Sequence, residues 1–166
     1  MTVASDTSGP GARSAARLAA VQGLYQMDLA QTDLNAVIRE FTTHRFGKTE
    51  GEDAIARADA TFFAELLRGV VRRQRDIDPM VDQQLAAGWH LTRVDSILRA
   101  ILRAGVFELL ERPDVPGRVV INEYIDVAHA FFGDDEPKVV NGVLDKLARR
   151  LRAMEFEGRC AGSADA

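Results

Sequence analysis

The stretch from about residue 89 to residue 154 constrains the fold most, because it carries three apolar stripes at helical spacing. Two short segments that contain proline, residues 113–117 and 133–137, separate the stripes. Connections this short make neighbouring helices antiparallel, so the three stripes can meet in one core. In chain order, the stripes consist of Val94, Ile97, Leu98, Ile101, Gly105 and Leu109; of Ile121, Ile125, Ala128 and Phe132; and of Val140, Val143, Leu144, Leu147, Leu151 and Met154.

Further amphipathic helices are expected upstream of this stretch. The first ends near Ala30, and the second carries Phe41 on its inward face. Gly88 is expected to end the last upstream segment, and the single Trp89 is expected to fill the core between two lobes. No segment alternates convincingly with period two, so no sheet is predicted. The expected helix starts lie near Ser14, residues 32–33 and Asp59, and residues 78–79 start or kink a fourth segment.

The predicted architecture is therefore all-α, with six or seven helices in one domain or in one domain of two lobes. A chain of 166 residues is long enough to bury a sizeable core without disulfides. Small and polar residues predict a disordered arm over residues 1–12. The helical domain is expected over residues 13–153, and a flexible tail over residues 154–166.

The composition disfavours several classes of protein. The single cysteine, Cys160, excludes an internal disulfide, and His44, His90 and His129 lack the spacing of metal ligands. No metal or cofactor is therefore expected. No apolar signal segment is present near the start, and no window approaches the roughly 18 apolar residues that span a bilayer. The expected location is the cytoplasm, with no membrane partner.

Charge is unevenly distributed along the chain, although the net charge is only −4. This balance argues weakly against a protein that coats itself in nucleic acid, but a near-neutral protein can still present a basic face. Alternatively, the clustered cations only complement the dipoles at helix C-termini. The basic clusters are Arg68, Arg72, Arg73 and Arg75, and Lys146, Arg149, Arg150 and Arg152; acidic residues concentrate at Glu50, Glu52 and Asp53, and at Asp134, Asp135 and Glu136.

Arg13 and Arg17 lie one turn apart at the start of the first predicted helix. Positive charge there opposes the helix dipole, at a cost of about 0.3–1 kcal/mol for each exposed side chain. A basic pair in an unfavourable place indicates an anionic ligand. The equally simple interpretation is two solvated surface arginines.

Groups suited to catalysis are few. Glu123 and Asp126 form a carboxylate pair three residues apart, an arrangement that is more often a solvated helix surface than an acid–base site. The sequence therefore predicts a protein that is not an enzyme. Gly142, inside a helical pattern, costs about 1 kcal/mol relative to alanine, and close helix packing is the preferred reason. The neighbouring Asn141 can donate and accept hydrogen bonds, as in reading a base edge.

Four blocks of the sequence, in order and spacing, resemble the NusB family of bacterial transcription antitermination factors. The resemblance spans about residues 13–150, and the blocks at 115–123 and 139–146 are the specific ones. The blocks are Ala16-Arg17 leading to residues 21–25 (VQGLY), residues 101–103 (ILR) leading to 107–109 (FEL), residues 115–123 (VPGRVVINE) and residues 139–146 (VVNGVLDK).

This resemblance implies two small, all-α helical bundles that form one compact NusB-like domain. It implies binding of a single-stranded RNA element, boxA, in leader regions of ribosomal RNA operons. The implied protein partner is NusE, a small-subunit ribosomal protein, and the pair is expected to act within the RNA polymerase antitermination complex. The resemblance implies neither catalysis nor a cofactor.

The family's RNA surface corresponds here to the start of the first helix and to the start of the last. The start of the partner helix, near Pro116, supplies the implied protein contacts. An aromatic residue commonly follows the lysine of the last helix, where this chain has Val139, so RNA binding without NusE is expected to be weak. The implied RNA contacts are Arg13, Arg17, Asp135, Lys138 and Asn141, and the implied partner contacts are Arg118 and Glu123.

Two other functions fit the same helices. A NusB-like domain precedes the catalytic domain of some RNA cytosine methyltransferases, but no glycine-rich strand–loop–helix for a methyl donor is found in this sequence. A stand-alone RNA-binding module of that kind is therefore one alternative. The other is a helical adaptor that binds only proteins.

Overall fold

The computed structural model describes residues 10–47, 54–85, 90–91 and 94–157, and these residues form helices and connecting turns with no strand among them. The described chain therefore confirms the all-α prediction. Trp89 and Gly88 lie outside the described residues. None of the described helices is both long enough and apolar enough to span a bilayer. The elements are α1 (Pro10–Ala30), α2 (Leu34–Glu40), a π-helix (Phe41–Arg45), α3 (Ala60–Gln84), α4 (Ser96–Glu111), α5 (Gly117–Phe131) and α6 (Asp135–Leu151).

Local chemistry sets most helix starts. The Asp33 carboxylate accepts a hydrogen bond from the Ala36 N–H at 3.2 Å, and the Asp59 carboxylate accepts one from the Phe62 N–H at 3.1 Å. Both residues satisfy N–H groups that have no partner inside their helix. Helix α1 begins at Pro10, four residues before the expected cap at Ser14. Proline suits a first helical position because its φ angle is fixed and its missing N–H needs no partner.

Helix α3 is one continuous element, whereas the sequence leaves open a start or kink of a separate segment at residues 78–79. Pro79 lies inside the helix, which continues to Gln84. Ile77 and Val81, four residues apart across the proline, are both fully buried. Arg103 also donates two hydrogen bonds of 2.9 Å to the Asp78 carboxylate. We infer that these tertiary contacts offset the loss of one backbone hydrogen bond.

The chain divides into two compact units, Met1–Arg72 and Arg73–Ala166, and the boundary falls inside α3. The first unit has an aromatic cluster in its core. The Phe63 ring lies 5.2 Å from the ring of Phe41 and 4.9 Å from that of Phe46. Edge-on and tilted contacts at these separations stabilise aromatic pairs beyond the area they bury.

Helices α4, α5 and α6 form the core of the second unit and contact one another pairwise. The α4 stripe is buried as predicted except for the half-buried Ile97. In α5 the buried face is rotated from the prediction: Tyr124 and Val127 are buried, whereas Ile125 and Phe132 are half-buried. Leu144 of α6 packs so close to α4 that a Cβ atom on Gly105 would lie 2.8 Å from its Cδ1 atom.

Arg152 binds the carbonyl oxygens around the end of α4. Its guanidinium donates to Glu108 O at 3.1 Å, Leu109 O at 2.8 Å, Arg112 O at 2.7 Å and Val115 O at 3.0 Å. The last carbonyls of a helix lack partners inside it, so this side chain serves as their cap. The rigid fork of arginine donors makes several such bonds possible at once.

A further helical turn at residues 153–157 extends the folded unit past α6. The Glu155 carboxylate accepts hydrogen bonds from Arg152 at 2.7 Å and from the Gly117 N–H, at the start of α5, at 2.8 Å. Phe156 is buried, whereas Met154, predicted to be in the core stripe, is 87% exposed. The folded part therefore includes residues that the sequence assigns to the tail beginning at residue 154. Residues 158–166, like residues 1–9 of the predicted arm, lie outside the described residues.

Stability is expected to depend on pH through Glu155. Burial raises the pKa of this carboxyl, but hydrogen bonds from Gly117 and Arg152, with the Arg152 charge, outweigh burial and hold the pKa below its ordinary value of 4.5. A pKa that is lower in the folded state stabilises the fold above the unfolded-state pKa, and this contribution disappears as pH falls through the folded-state pKa. Glu155→Gln should therefore reduce the free energy of unfolding near pH 7 and lose this effect near pH 3, measured by urea unfolding. An equal effect at both pH values would contradict the assignment.

Candidate nucleic-acid interface

The start of α1 places two arginines over one aromatic ring. The guanidinium carbon of Arg13 lies 5.5 Å from the centre of the Phe62 ring, and that of Arg17 lies 5.1 Å from it. The Asp59 N–H donates to Ala12 O at 3.0 Å, which joins the segment before α3 to the first turn of α1. Cations this close to a ring face are attracted by its quadrupole, so Phe62 helps to fix both side chains.

The two arginines differ in exposure. Arg13 is half-buried, whereas Arg17 is only 2% exposed. Both interpretations from the sequence, two solvated arginines or two exposed RNA contacts, predict an exposed Arg17. Its burial agrees with neither. Arg13 is therefore the accessible cation of the pair, and Arg17 is placed to hold the ring beneath it.

The start of α6 brings together three of the predicted RNA contacts. Asp135, Lys138 and Asn141 follow one another at intervals of three residues, and all three side chains are exposed. Residues three apart lie on one side of a helix, so this side presents a carboxylate, an ammonium group and an amide. Asp135 and Glu136 also lie in the first turn, where negative charge complements the helix dipole.

Gly142 is not a packing glycine, so the preferred explanation from the sequence is wrong. The residue is exposed, and apart from its chain neighbours and its own helix backbone, no heavy atom of the described residues lies within 4 Å of the position that a Cβ atom would take. Gly105 shows the contrasting case, because there a Cβ atom would enter the side chain of Leu144. Close helix packing therefore does not explain why α6 carries a glycine, with its cost in helix propensity, at this position.

The start of α5 carries an exposed Arg118 beside a groove of about 410 Å³. Pro116, Glu155 and Phe156 line the groove together with Arg118. The guanidinium carbon of Arg118 lies 5.6 Å from the centre of the Phe156 ring, and that of Arg149 lies 5.2 Å from it. Glu123, the second predicted partner contact, is half-buried. It follows Arg118 by five residues, a rotation of about 140°, so the two do not share one helix face.

The sequence places Arg152 only in a basic cluster and does not single out Glu155 or Phe156, although all three contact one another or the segment around the start of α5. A signal for Arg152 exists in its helical phase. It follows Ala148 by four residues and Leu144 by eight, so it lies on the buried side of α6. Residue type alone does not indicate that Arg152 is buried, because the nearby arginines Arg149 and Arg150 are exposed.

These groups suit binding of an anionic polymer and hydrogen bonding to base edges. Lysine and arginine attract phosphate groups, and the carboxamide of Asn141 both donates and accepts. Within the described residues no group of three or more His, Cys, Asp or Glu side chains is arranged to hold a metal ion.

Proteins with a similar sequence match most of the length of this chain. The NusB protein of Allorhizobium ampelinum, a transcription antitermination protein, is 54% identical over 140 residues, which are 84% of this chain and 88% of the relative. That of Rhodopseudomonas palustris strain TIE-1 is 54% identical over 145 residues, 87% of this chain and 83% of the relative.

Solved structures agree with the sequence relatives. The chain is similar to T. maritima NusB, with a TM-score of 0.72, 28% identity, and coverage of 87% of this chain and 96% of that one. It is also similar to a chain in a crystal structure of the antitermination factors NusB and NusE with double-stranded RNA, with a TM-score of 0.67 and 25% identity over 82% of this chain and 96% of that one. The model of the NusB family matches residues 14–149. The chain therefore belongs to the NusB family.

Proposed function

We propose that this protein is an RNA-binding transcription antitermination factor that acts with NusE on boxA RNA of ribosomal RNA operons. It works in the cytoplasm within the RNA polymerase antitermination complex, and it is not an enzyme. The family match over residues 14–149 is the observation that carries this proposal. That range includes every candidate contact except Arg13.

The proposed RNA contacts lie in two places, at the start of α6 in the second unit and at the start of α1 in the first. Lys138 and Arg13 attract phosphate groups, while Asn141 and Asp135 form hydrogen bonds with exposed base edges. Arg17, at 2% exposure, supports this surface indirectly by its position against Phe62. Its role is to position Arg13 and to add positive charge behind it.

The proposed NusE surface includes the start of α5. Arg118 is exposed there and borders the groove with Phe156, which offers a charged and an apolar contact side by side. Such a combination suits a protein partner, because interface cores are rich in aromatic and arginine side chains. Glu123 would contact the partner from a different face of the same helix.

Single-stranded RNA is the proposed ligand, although the solved NusB–NusE relative was crystallised with double-stranded RNA. Base edges of an RNA duplex are largely inaccessible to side chains, whereas unpaired bases expose them. The amide of Asn141 is useful for recognition only if those edges are exposed. The test therefore compares single-stranded with double-stranded RNA.

The test is a fluorescence anisotropy titration of a labelled single-stranded boxA RNA with the full chain, in the presence and absence of NusE. We expect weak binding by the chain alone, because Val139 supplies no aromatic platform of the kind worth about 1–3 kcal/mol per base. With NusE present, affinity should rise by at least about tenfold. The logarithm of the binding constant should fall with the logarithm of salt concentration by about 0.7 per phosphate contact.

Scrambled single-stranded RNA and a boxA duplex are the matched control ligands. Equal affinity for boxA and scrambled RNA would refute specific recognition and favour a helical adaptor that binds only proteins. Tight, salt-insensitive RNA binding without NusE would refute the shared role of the partner. Specific RNA binding that NusE leaves unchanged would favour a stand-alone module of the methyltransferase-associated kind.

A further inference from the structure

An exposed glycine in the middle of α6 has no structural explanation within the described chain. Gly142 is the eighth residue of a helix of 17 residues, so it neither caps nor terminates the helix. Its surroundings are open, since no side chain beyond its chain neighbours and no other described segment comes within 4 Å of the place that a Cβ atom would occupy. Alanine would favour the helix more and would fit without a clash.

Two lysines lie one turn on either side of this glycine. Lys138 precedes Gly142 by four residues and Lys146 follows it by four, and all three are exposed. Residues four apart are neighbours on the same face of a helix. Within the described ranges, neither ammonium group is seen in an ion pair with a carboxylate. The nearby Asp145 is paired with Arg149 at 3.0 Å, so its charge is compensated.

We propose that the sugar–phosphate backbone of single-stranded RNA crosses α6 at Gly142, with Lys138 and Lys146 binding phosphates on either side. This inference rests on the proposed function and extends its RNA surface by Gly142 and Lys146. A missing side chain lets a ligand backbone approach the helix more closely than any other residue permits. The two flanking ammonium groups then contact the strand where it is closest.

The charges on this face favour RNA over a protein partner. Lys138 and Lys146 supply compact positive charges on flexible stems, which bind phosphate as point charges without demanding one geometry. Asn141 lies beside Gly142 and can reach a base whose backbone crosses there. Large exposed apolar side chains, which a protein interface would use, are absent from the described exposed positions between Lys138 and Lys146.

The experiment compares stability and RNA binding in Gly142→Ala and Gly142→Gln, using the full chain with NusE and labelled single-stranded boxA RNA. The alanine variant should raise the thermal midpoint by about 1–4 °C, because it removes the propensity cost. Its affinity for RNA should nevertheless fall by roughly tenfold, and the glutamine variant should lose more. Opposite signs for stability and binding cannot arise from misfolding.

Lys146→Gln tests the second half of the proposal, and Arg75→Gln, which removes an exposed positive charge from α3, is its control. The slope in question is that of the logarithm of the RNA-binding constant against the logarithm of salt concentration. The lysine variant should reduce this slope by the amount expected for about one phosphate contact, and the control should leave it unchanged. If wild type binds RNA and both Gly142 variants bind equally well, the inference is wrong and the proposed function stands. If wild type with NusE binds no RNA, the proposed function itself is wrong. If the Gly142 and Lys146 variants weaken NusE binding but not RNA binding, this face of α6 binds the protein partner and the inference that RNA crosses it is wrong.

Discussion

Arg152→Ala is expected to lower the free energy of unfolding by about 2–4 kcal/mol, because each buried carbonyl left without a donor costs about 1–3 kcal/mol. The substitution takes the donor from four carbonyl oxygens, those of Glu108, Leu109, Arg112 and Val115. Three of these carbonyls belong to the end of α4 or its cap. Glu108 O and Arg112 O also accept hydrogen bonds from the backbone N–H groups of Arg112 and Val115, so the loss falls mainly on Leu109 O and Val115 O. A buried acceptor left without a donor costs more than the net worth of the bond it loses.

Urea unfolding followed by circular dichroism measures this effect. Arg150→Ala is the matched control, because Arg150 is an exposed arginine two residues away. Its unfolding free energy should change by no more than about 0.5 kcal/mol. Arg152→Lys should retain little of the stability that Arg152 provides, since one ammonium group cannot reproduce the several donors of the arginine guanidinium. If Arg152→Ala and Arg150→Ala were equally stable, the capping role would be wrong.

Phe63→Ala should destabilise the first unit by about 3–5 kcal/mol, as expected for deleting a fully buried aromatic ring. Phe63 lies between two other rings, at 5.2 Å from Phe41 and 4.9 Å from Phe46. Its removal leaves a cavity that the two neighbouring rings can fill only in part. The loss should exceed the transfer free energy of the ring by the lost aromatic contacts.

Phe131→Ala provides a control of the same chemistry, because Phe131 is an exposed phenylalanine at the end of α5. That variant should change the free energy of unfolding by less than about 0.5–1 kcal/mol. Phe63→Leu keeps most of the volume and should cost less than Phe63→Ala. Equal losses for Phe63→Ala and Phe131→Ala would show that the aromatic cluster contributes nothing beyond surface packing.

Helical periodicity predicts the elements of this protein well, because an apolar stripe reports directly which side of a helix is buried. Val140, Val143 and Leu144 in α6 are buried as their spacing predicts. Periodicity is less informative about α5, where the predicted stripe leaves out a tyrosine that occupies a core position. Tyr124 is fully buried, in phase with Ile121 and Ala128.

The features that the sequence does not predict depend on contacts between distant segments. Pro79 stays inside a helix because of the residues that pack around it, which no local rule includes. Arg17 is buried against Phe62, 45 positions later in the chain, and composition cannot distinguish it from the half-buried Arg13. For the candidate site, the sequence predicts the cations and amide of α6, whereas the open space at Gly142 becomes visible only in three dimensions.

The cap that Arg152 provides for α4 also has a consequence during synthesis. Glu108 precedes Arg152 by 44 residues, so α4 is translated long before its capping side chain exists. At about 5–20 residues per second, the nascent helix waits roughly 2–9 seconds for that guanidinium. Throughout this interval, the carbonyl groups of Leu109 and Val115 must find donors other than Arg152, such as water. The cap on α4 therefore cannot form before Arg152 has been synthesised.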